Sequence, residues 1–314
     1  MTIIVNPTAS RGDGREYLKQ IKSLTQKRGV SLKVLLTRYP GHASKLAERA
    51  AQAGAEIVIV LGGDGTISEV VNGVAGAGVT LGIISVGTGN DFARSLRLPI
   101  KNPREAWNVI ETGITRQLDL GECNGRYFIS SYGVGFPVEA VKATSRSIFF
   151  KGSTAFLLGV LKALWRMQPV RVRIEMDESS IEEDCAFVLV QNTPYLGGGL
   201  RVAPRALLDD GFLDVVVVEA LGRLNVLANL PRVYRGRHEN HPRFSAFKAK
   251  KVIISSREKL QTMCDGELWG HTLFHQGSLE RITGNCRKAK WGSKSLLKKR
   301  PSSLPGPPDS WVNL

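Results

Sequence analysis

Directly after the apolar run Ile57–Leu61, the sequence has the glycine-rich loop Gly62–Thr66 and then a helical pattern from Ile67 to about Ala75. A run of β-branched and aliphatic residues bounded by glycines is typical of a buried strand. Glycines at the end of such a strand let backbone N–H groups approach a phosphate chain, and the N-terminus of the next helix attracts its negative charge. A turn capped by Asp64 is the alternative, but the strand–loop–helix order favours a phosphate site.

The same alternation of strands and helices fills the first 120 residues. Further strands are predicted at Ile3–Val5, Val30–Leu36 and Thr80–Val86, with helices at 14–28 and 42–53. Short, nearly continuous apolar strands that alternate with helices are typical of a mostly parallel sheet covered on both faces. The N-terminal part is therefore predicted to be a parallel-sheet α/β domain.

Polar loops follow two more of the predicted strands. Asn6-Pro7-Thr8-Ala9-Ser10 comes after the first strand, Gly87–Arg94 comes after the last, and Asp119-Leu120-Gly121 adds a carboxylate near residue 120. Because ligands of such sheets bind beyond the carboxyl ends of the strands, we expect one converging site there. A P-loop motif is absent, and Gly87-Thr88-Gly89 lacks the third glycine of a Rossmann fingerprint. Backbone N–H groups, Mg²⁺ and scattered Arg or Lys must then meet the phosphate charge.

The chain after about residue 120 has a different pattern. Val170–Met176 alternates strictly between apolar and polar residues, which predicts a strand with one solvated face. The apolar stripe from Phe156 to Trp165 is interpreted as core packing, with an acyl-chain groove or a membrane contact as the alternative. Further strands are predicted at Cys185–Gln191, Phe212–Glu219, Val252–Ser255 and Leu279–Thr283, and helices near Thr154–Arg166 and Leu224–Tyr234. We predict a β-rich, antiparallel, sandwich-like second domain, with domain bounds of 1–119 and 120–283.

The chain carries 43 Lys and Arg against 28 Asp and Glu, a net charge of +15. Such an excess favours a polyanionic partner, although solubility alone is another explanation. The last 29 residues hold seven basic residues and one acidic residue among many Pro and Ser. Segment 284–314 is therefore predicted to be a disordered basic tail that docks on an anionic membrane surface. No interleaved aromatic motif accompanies the charge, so no nucleic-acid partner is expected.

Cysteine usage and hydropathy point to a cytoplasmic, peripherally membrane-associated protein. The four cysteines form no C-x-x-C pair and have no zinc-site spacing. Without a recognisable secretory signal, they are predicted to be reduced thiols. No stretch approaches the roughly 18 apolar residues that suggest a membrane span.

Two Asp-Gly turns in the β-rich part each allow two interpretations. Asp265-Gly266-Glu267 ends a predicted strand and offers two carboxylates for general-base chemistry, but Asp-Gly is also a common hairpin signal. The turn within Leu207–Phe212, which contains Asp209, Asp210 and Gly211, offers oxygen ligands to a hard cation. On spacing alone, a simple turn is favoured at both places.

Taken in order, these motifs resemble the bacterial diacylglycerol kinase-like lipid kinases, whose catalytic domain is shared with sphingosine and ceramide kinases. The resemblance runs from about Ile3 to Thr283. It rests on Asn6-Pro7-x-x-Ser10, Gly62–Thr66, Gly87–Arg94, Asp119-x-Gly121, Asn192 with Gly197–Gly199, Pro204–Asp214 and Asp265–Glu267. The Gly62–Thr66 loop also occurs in NAD kinases and phosphofructokinases, whose fold type is expected for the N-terminal domain. Ser68 departs from the family pattern, which often has Asn there, so we expect retuned nucleotide contacts.

The resemblance implies a two-domain kinase whose active site lies in the interdomain cleft. It implies ATP contacts at Asn6, Pro7, Thr8, Ala9, Ser10, Thr37, Gly62, Gly63, Asp64, Gly65, Thr66, Ile67, Ser68 and Thr88. Catalytic Mg²⁺ would be held through water by Asp64, Asp91 and Asp119. Either Asp265 or Glu267 would be the base. A structural Mg²⁺ would be bound by Asp210 with the backbone carbonyls of Leu207 and Phe212.

The sequence therefore predicts an ATP- and Mg²⁺-dependent lipid kinase that phosphorylates the free hydroxyl of a membrane lipid such as diacylglycerol. One alternative is a soluble-substrate kinase of the NAD kinase type, which shares the glycine-rich loop. The other is a non-catalytic regulator that binds a nucleotide or a membrane. The expected partners are the lipid and an anionic membrane surface, and a homodimer is left open.

Overall fold

The computed structural model describes residues 1–145 and 161–272, together with short strands at Phe274–His275, Ser278–Leu279 and Arg287–Ala289. Part of the predicted helix at 154–166 and most of the predicted tail at 284–314 lie outside these residues. Within the described part, no helix combines the length and the apolar character needed to cross a bilayer.

A four-stranded parallel sheet forms the N-terminal part, as predicted. Its strands lie in the order β2-β1-β3-β4, and they are β1 (Thr2–Val5), β2 (Lys33–Leu36), β3 (Ile57–Gly62) and β4 (Thr80–Ser85). In the central strand, Ile3 pairs with Val34 on one side and with Ile59 on the other. The predicted strand at Val30–Leu36 is shorter than expected, because pairing begins only at Lys33.

Helices cover both faces of this sheet. They are α1 (Gly14–Lys27), α2 (His42–Gln52), α3 (Asp64–Val74), α4 (Asp91–Ser95) and α5 (Pro103–Thr112), with a 3₁₀ turn at Ala9–Gly12. Ile4 and Val58 pack in one core with residues of α2 and α3. The neighbouring positions Ile3 and Ile59 pack in a second core with residues of α1 and with Trp107 of α5. This alternation follows from the two-residue period of a strand.

The helix after the glycine-rich loop begins at Asp64, three residues earlier than predicted, so the loop itself forms the helix N-terminus. Glu69 of α3 accepts hydrogen bonds from the backbone N–H groups of Gly41, at 2.8 Å, and Ala43, at 3.0 Å. These bonds satisfy N–H groups at the start of α2. Gly73 of α3 lies directly against the Ser44 carbonyl of α2, so the two helices pack backbone to backbone.

The rest of the described chain is built on antiparallel strands. They are β5 (Leu118–Cys123), β6 (Arg126–Phe128), β7 (Ser131–Gly135), β8 (Val170–Met176), β9 (Ser179–Gln191), β10 (Tyr195–Leu196), β11 (Leu200–Arg201), β12 (Leu213–Glu219), β13 (Phe244–Ala249), β14 (Val252–Ser255), β15 (Leu260–Cys264) and β16 (Glu267–Thr272). An eight-stranded sheet has the order β13-β12-β9-β7-β15-β16, and β8 joins β14 to the outer part of the 13-residue strand β9. The predicted strands at Val170–Met176 and Val252–Ser255 have their predicted ends.

Two helices accompany this sheet, α6 (Phe136–Ser145) and α7 (Arg223–Tyr234), besides a helical segment at 161–166. One face of the sheet packs against Phe128 and Cys123. The other face packs against α6 and contributes Leu189 and Val216. The antiparallel, β-rich architecture of the second domain was predicted correctly.

Several expectations need correction or lie outside the described residues. Strand β5 runs across the predicted domain boundary between 119 and 120. Disorder was the wrong prediction for Arg287–Ala289, which pairs with β5. The predicted strand at Leu279–Thr283 is described only at Leu279, within Ser278–Leu279. The strand predicted to end at Asp265 is β15, whereas helices α4, α5 and α6 and strands β5, β6, β7, β13 and β16 had not been predicted.

Replacing Gly73 with alanine should destabilise the N-terminal domain. The added methyl would collide with the Ser44 carbonyl oxygen and lie 2.8 Å from Ala47 Cβ, so α2 and α3 would have to separate. We expect the free energy of unfolding to fall by about 1–3 kcal/mol, measured by chemical denaturation. Gly222→Ala is the matched control, because its new Cβ would have no heavy atom nearer than 3.9 Å. Equal stability of the two variants would contradict this packing.

Candidate functional site

Three loops meet at the carboxyl ends of the parallel strands. The Asn6 amide nitrogen donates to Thr66 Oγ1 at 3.1 Å, which joins the loop after β1 to the loop after β3. A Cβ on Gly87 would lie 2.5 Å from Gly63 Cα, so the loops after β3 and β4 touch through their backbones. Only glycine allows this approach. The loops that were expected to converge therefore lie together.

The predicted nucleotide residues line this edge in different ways. Asn6 Oδ1 accepts from the Thr8 backbone N–H at 3.0 Å and from its hydroxyl at 2.8 Å, while Ser10 has a left-handed backbone. Thr37 lies at the end of β2, where its N–H donates to the Val5 carbonyl at 2.9 Å. Ile67 is fully buried in the core, so its side chain cannot contact a ligand. The remaining predicted residues belong to the loops described above, and they are Pro7, Ala9, Gly62, Gly65 and Thr88.

Asp64 and Asp91 form a carboxylate pair at this edge. Asp64 Oδ1 accepts from the Phe92 N–H at 3.1 Å, and burial raises the pKa of Asp64. Burial also raises the pKa of Asp91 to about 6, and the Asp64 charge adds to this rise, whereas the Gly198 N–H and Arg94 oppose it. A buried carboxylate pair of this kind is stabilised by a cation.

The Asp64–Asp91 pair suits a hard cation. Asp91 Oδ1 is buried, accepts no hydrogen bond from the described residues, and lies 3.9 Å from Arg94 Nε. Carboxylate oxygens are the protein ligands that Mg²⁺ takes. Across the described ranges, no three His, Cys, Asp or Glu side chains form a cluster that could hold a metal ion. Water or ligand oxygens would have to complete its coordination.

Asp119 lies against a different part of the chain. Its Oδ2 accepts from the Gly211 N–H at 2.6 Å, and its own N–H donates to the Leu208 carbonyl at 2.6 Å. Asn192 Nδ2 donates to the Asp119 carbonyl at 2.8 Å. Among the contacts of the described residues, none joins Asp119 to Asp64 or Asp91. Asp119 therefore supports the turn at 207–212 directly.

The second predicted cation site lies in that turn. Asp210 Oδ1 accepts from the Phe212 N–H at 3.1 Å, and Asp210 Oδ2 forms an ion pair with Lys248. Burial raises the pKa of the neighbouring Asp214 to about 6, and its Oδ2 is buried without a hydrogen-bond partner in the described part of the chain. Leu207 is half exposed. Sequence reasoning gave Asp214 no role of its own, and it missed Lys248, since only folding brings β13 to the turn.

Hydrogen bonds join the second domain to Asp91 and to Ser68 of helix α3 in the first. The Gly198 N–H donates to Asp91 Oδ2 at 2.7 Å, and Ser68 Oγ donates to Asp265 Oδ2 at 2.7 Å. Asp265 also accepts three backbone hydrogen bonds, from Ile129 at 2.9 Å, Ser130 at 2.8 Å and Ser131 at 3.1 Å. Burial raises the pKa of Asp265, and these hydrogen bonds lower it. Both oxygens of this carboxylate are engaged.

Glu267, two residues further along the hairpin, has different surroundings. Its side chain is 48% exposed, and Oε2 pairs with Arg126 at 2.7 Å. The Arg126 guanidinium lies 4.5 Å from the centre of the Trp269 ring. Glu267 Oε1 lies 4.0 Å from where a Cβ on Gly65 would be, next to the N-terminus of α3. Arg126 and Trp269 were not predicted, because nothing in their local sequence marks them.

A cavity of about 490 Å³ leads from these carboxylates into the second domain. Its polar end is lined by Asp64, Thr88, Asp91 and Asp265. Its other walls are mostly apolar and include Phe136, Leu189, Leu196, Val216, Leu230 and Met263. The resemblance implied a cleft between the domains, but the residues of these walls had not been predicted, since they come from segments far apart in the sequence.

Comparisons with known proteins agree with this architecture. A family model described as the diacylglycerol kinase catalytic domain matches residues 1–123. A second model, described as the YegS C-terminal NAD kinase beta sandwich-like domain, matches residues 130–276. The two matches correspond to the parallel-sheet part and the antiparallel part of the fold.

Relatives are similar over most of their length. A diacylglycerol kinase of Bacillus subtilis is 33% identical over 271 residues, which are 85% of this chain and 89% of the relative. One from Staphylococcus carnosus is 35% identical over 276 residues, covering 85% and 88%. A crystal structure of a diacylglycerol kinase from Bacillus anthracis superposes with a TM-score of 0.66 at 29% identity, covering 86% of this chain and 90% of that one. The chain therefore belongs to the diacylglycerol kinase family and is a lipid kinase.

Proposed function

We propose that this lipid kinase transfers the γ-phosphate of ATP to the free hydroxyl of diacylglycerol, in the cleft between its two domains. The observation that carries the proposal is the cavity, which has carboxylates at one end and apolar walls along the rest. A lipid with one reactive hydroxyl matches that distribution, because its polar end can meet the carboxylates while its chains contact the apolar walls. The relatives named diacylglycerol kinase support this choice of lipid.

The ATP phosphates would lie on the loops of the first domain. The N-terminus of the 11-residue helix α3 points its free N–H groups and its dipole to this edge. The close backbone contact of Gly63 with Gly87 leaves no side chain between a phosphate and these loops. The polar side chains of Asn6, Thr66 and Thr88 would add hydrogen bonds. No P-loop lysine is required for such a site.

Mg²⁺ would be held by Asp64 and Asp91, with Asp119 acting through its support of the turn at 207–212. The free oxygen Asp91 Oδ1 supports this assignment. When bound, the ion would neutralise phosphate charge during the transfer. A structural Mg²⁺ at Asp210, with the carbonyls of Leu207 and Phe212, is supported by the unpartnered Asp214 Oδ2 beside it. Lys248 is the competing positive charge at that second site.

We assign the base to Glu267. A general base needs an oxygen that can receive the hydroxyl proton as the bond to phosphorus forms. Asp265 accepts four hydrogen bonds, so no oxygen lone pair faces a substrate without loss of a structural contact. Glu267 Oε1 is free of such bonds and faces Gly65, while Arg126 holds Oε2. Asp265 would then position the hairpin that carries Glu267.

The rival soluble-substrate kinase fits the cavity less well. A soluble dinucleotide would place ribose hydroxyls and amide groups against apolar walls, where they would lose hydrogen bonds to water without replacement. A non-catalytic regulator would have no use for an exposed carboxylate at the phosphate end of the cleft. An assay of lipid phosphorylation distinguishes both alternatives from a lipid kinase.

The assay measures transfer of labelled phosphate from ATP to diacylglycerol in mixed micelles. We expect a labelled lipid product in the presence of Mg²⁺ and its loss when the ion is chelated. Labelling of NAD without any lipid would favour the soluble-substrate alternative. Nucleotide binding without any labelled product would favour the regulator.

The variant Glu267→Gln should lower kcat by about 10²–10⁴-fold, because the amide cannot accept the hydroxyl proton. Its thermal unfolding should resemble that of the wild type, since the side chain is 48% exposed. Glu182→Gln is the matched control, because Glu182 is 44% exposed and also pairs with an arginine, Arg171. If Glu267→Gln keeps the wild-type kcat, the base is another group.

The variant Asp265→Ala should unfold more easily, because three enclosed backbone N–H groups lose their acceptor. At about 1–3 kcal/mol for each unsatisfied group, we expect the free energy of unfolding to fall by about 3 kcal/mol or more. Asp177→Ala is the control, since Asp177 accepts two backbone N–H groups at an exposed position. A variant at Asp265 with wild-type stability and no activity would instead assign the base to Asp265.

A further inference from the structure

Arg126 contacts two side chains of strand β16. Its Nη2 donates to Glu267 Oε2 at 2.7 Å, and its guanidinium lies 4.5 Å from the centre of the Trp269 ring. The Arg126 side chain is only 15% exposed, whereas its carboxylate partner is 48% exposed. A planar guanidinium that lies over a ring and also bonds a carboxylate keeps less freedom than either contact alone would leave it. Arg126 is therefore a fixed point for a carboxylate that could otherwise move.

A β-bulge in the β15–β16 hairpin brings Trp269 to this position. The pairing of the two strands shifts register around Thr262, whose hydroxyl donates to the Trp269 carbonyl. Gly270, the next residue, has a left-handed backbone with φ +63°, which is typical of a bulge. Bulges change the direction of side chains and are common beside active sites. This one places the Trp269 ring against the guanidinium that also bonds Glu267.

Helix α3 fixes the strand of Arg126 in relation to the glycine-rich loop. Asn72 of this helix bonds both backbone groups of Tyr127, since its Oδ1 accepts from the N–H at 2.9 Å and its Nδ2 donates to the carbonyl at 2.8 Å. Ser68, one turn earlier, donates to Asp265 at the turn of the β15–β16 hairpin. Strand β6 and this hairpin are therefore both hydrogen-bonded to the helix that starts in the glycine-rich loop.

This arrangement leaves one oxygen of Glu267 available to a substrate. Oε1 lies 4.0 Å from where a Cβ on Gly65 would be, in the first turn of α3, while Arg126 holds Oε2. Without Arg126, a half-exposed glutamate would sample several rotamers, and the N-terminus of α3 would attract its negative charge. The N–H groups at that N-terminus are the ones proposed to bind phosphate. Misplacement of a reacting group by about 1 Å can lower a rate by about 10²-fold.

We propose that Arg126 is a positioning residue for the phosphoryl transfer, which holds the Glu267 carboxylate so that Oε1 meets the lipid hydroxyl. The proposal rests on the proposed function, because it takes Glu267 to be the base. Arg126 acts only through Glu267 and contacts neither ATP nor the lipid. Trp269 keeps the guanidinium in place. The alternative, in which Arg126 contacts the phosphates directly, is an outcome of the test.

The test is a double-mutant cycle in the lipid-phosphorylation assay, with Arg126→Met and Glu267→Gln made alone and together. Methionine offers an unbranched apolar stem to Trp269 and removes the charge and the hydrogen bond. Arg126→Met alone should lower kcat by about 10–10²-fold. Added to Glu267→Gln, it should change kcat and the KM for ATP by less than about twofold, because the base through which it acts is already absent.

Arg171→Met is the matched control. Arg171 also pairs with a glutamate, Glu182, but it is 62% exposed and does not line the cavity. We expect this variant to keep kcat within about twofold of the wild type, since exposed ion pairs contribute little to stability.

Four results would count against these assignments in different ways. Wild-type kcat of Arg126→Met would overturn the proposal. An equal loss of kcat in the Glu267→Gln background, or a rise there in the KM for ATP, would assign Arg126 to the phosphates or to stability alone and also overturn it. Wild-type kcat of Glu267→Gln would refute the assignment of the base and the role of Arg126 with it. If another hydroxyl lipid is phosphorylated and diacylglycerol is not, the proposed substrate is refuted, and the same cycle on that lipid still tests Arg126.

Discussion

The hydrogen-bonded carboxylate of Asp265 is the contact on which the geometry of the cleft depends. It sits at the turn of the β15–β16 hairpin with a left-handed backbone, φ +48°. It accepts from Ser68 on α3 and from the backbone at 129–131. Helix α3 carries the glycine-rich loop at its start, and β15 contributes Met263 to the cavity wall. One enclosed carboxylate therefore links the helix that carries the glycine-rich loop to the hairpin that contributes to the cavity wall, and breaking its bonds would leave it desolvated and unpaired.

Local sequence signals predicted the loops at the edge of the parallel sheet, because parallel strands end at the same edge. Once Ile3–Val5, Ile57–Leu61 and Thr80–Val86 are parallel neighbours, the loops that follow them must meet at one edge. The Asn6–Thr66 hydrogen bond and the Gly63–Gly87 approach are consequences of that rule. In the same way, the alternation within Val170–Met176 specified a half-buried strand without any tertiary information.

The resemblance implied a base at Asp265 or Glu267, but the different surroundings of these two residues could not be predicted, since they depend on residues far away in sequence. Asp265 takes its partners from positions near 68 and 130, and Glu267 takes its partner from Arg126. The cavity is likewise assembled from α6, α7 and several strands. Helix α5 is a different case, because a usable signal was present. Asn102 caps it by accepting from the Glu105 N–H at 3.2 Å, with Pro103 at the first helical position.

Helix α7 lines the cavity with one face and exposes apolar residues to solvent on another. Its inner face contributes Val226, Leu230 and Val233 to the apolar wall of the cavity, yet a helix that is apolar on two faces would ordinarily be buried in a core. Exposing Leu224 and Leu227 to water costs free energy, and no apolar contact among the described residues offsets this cost.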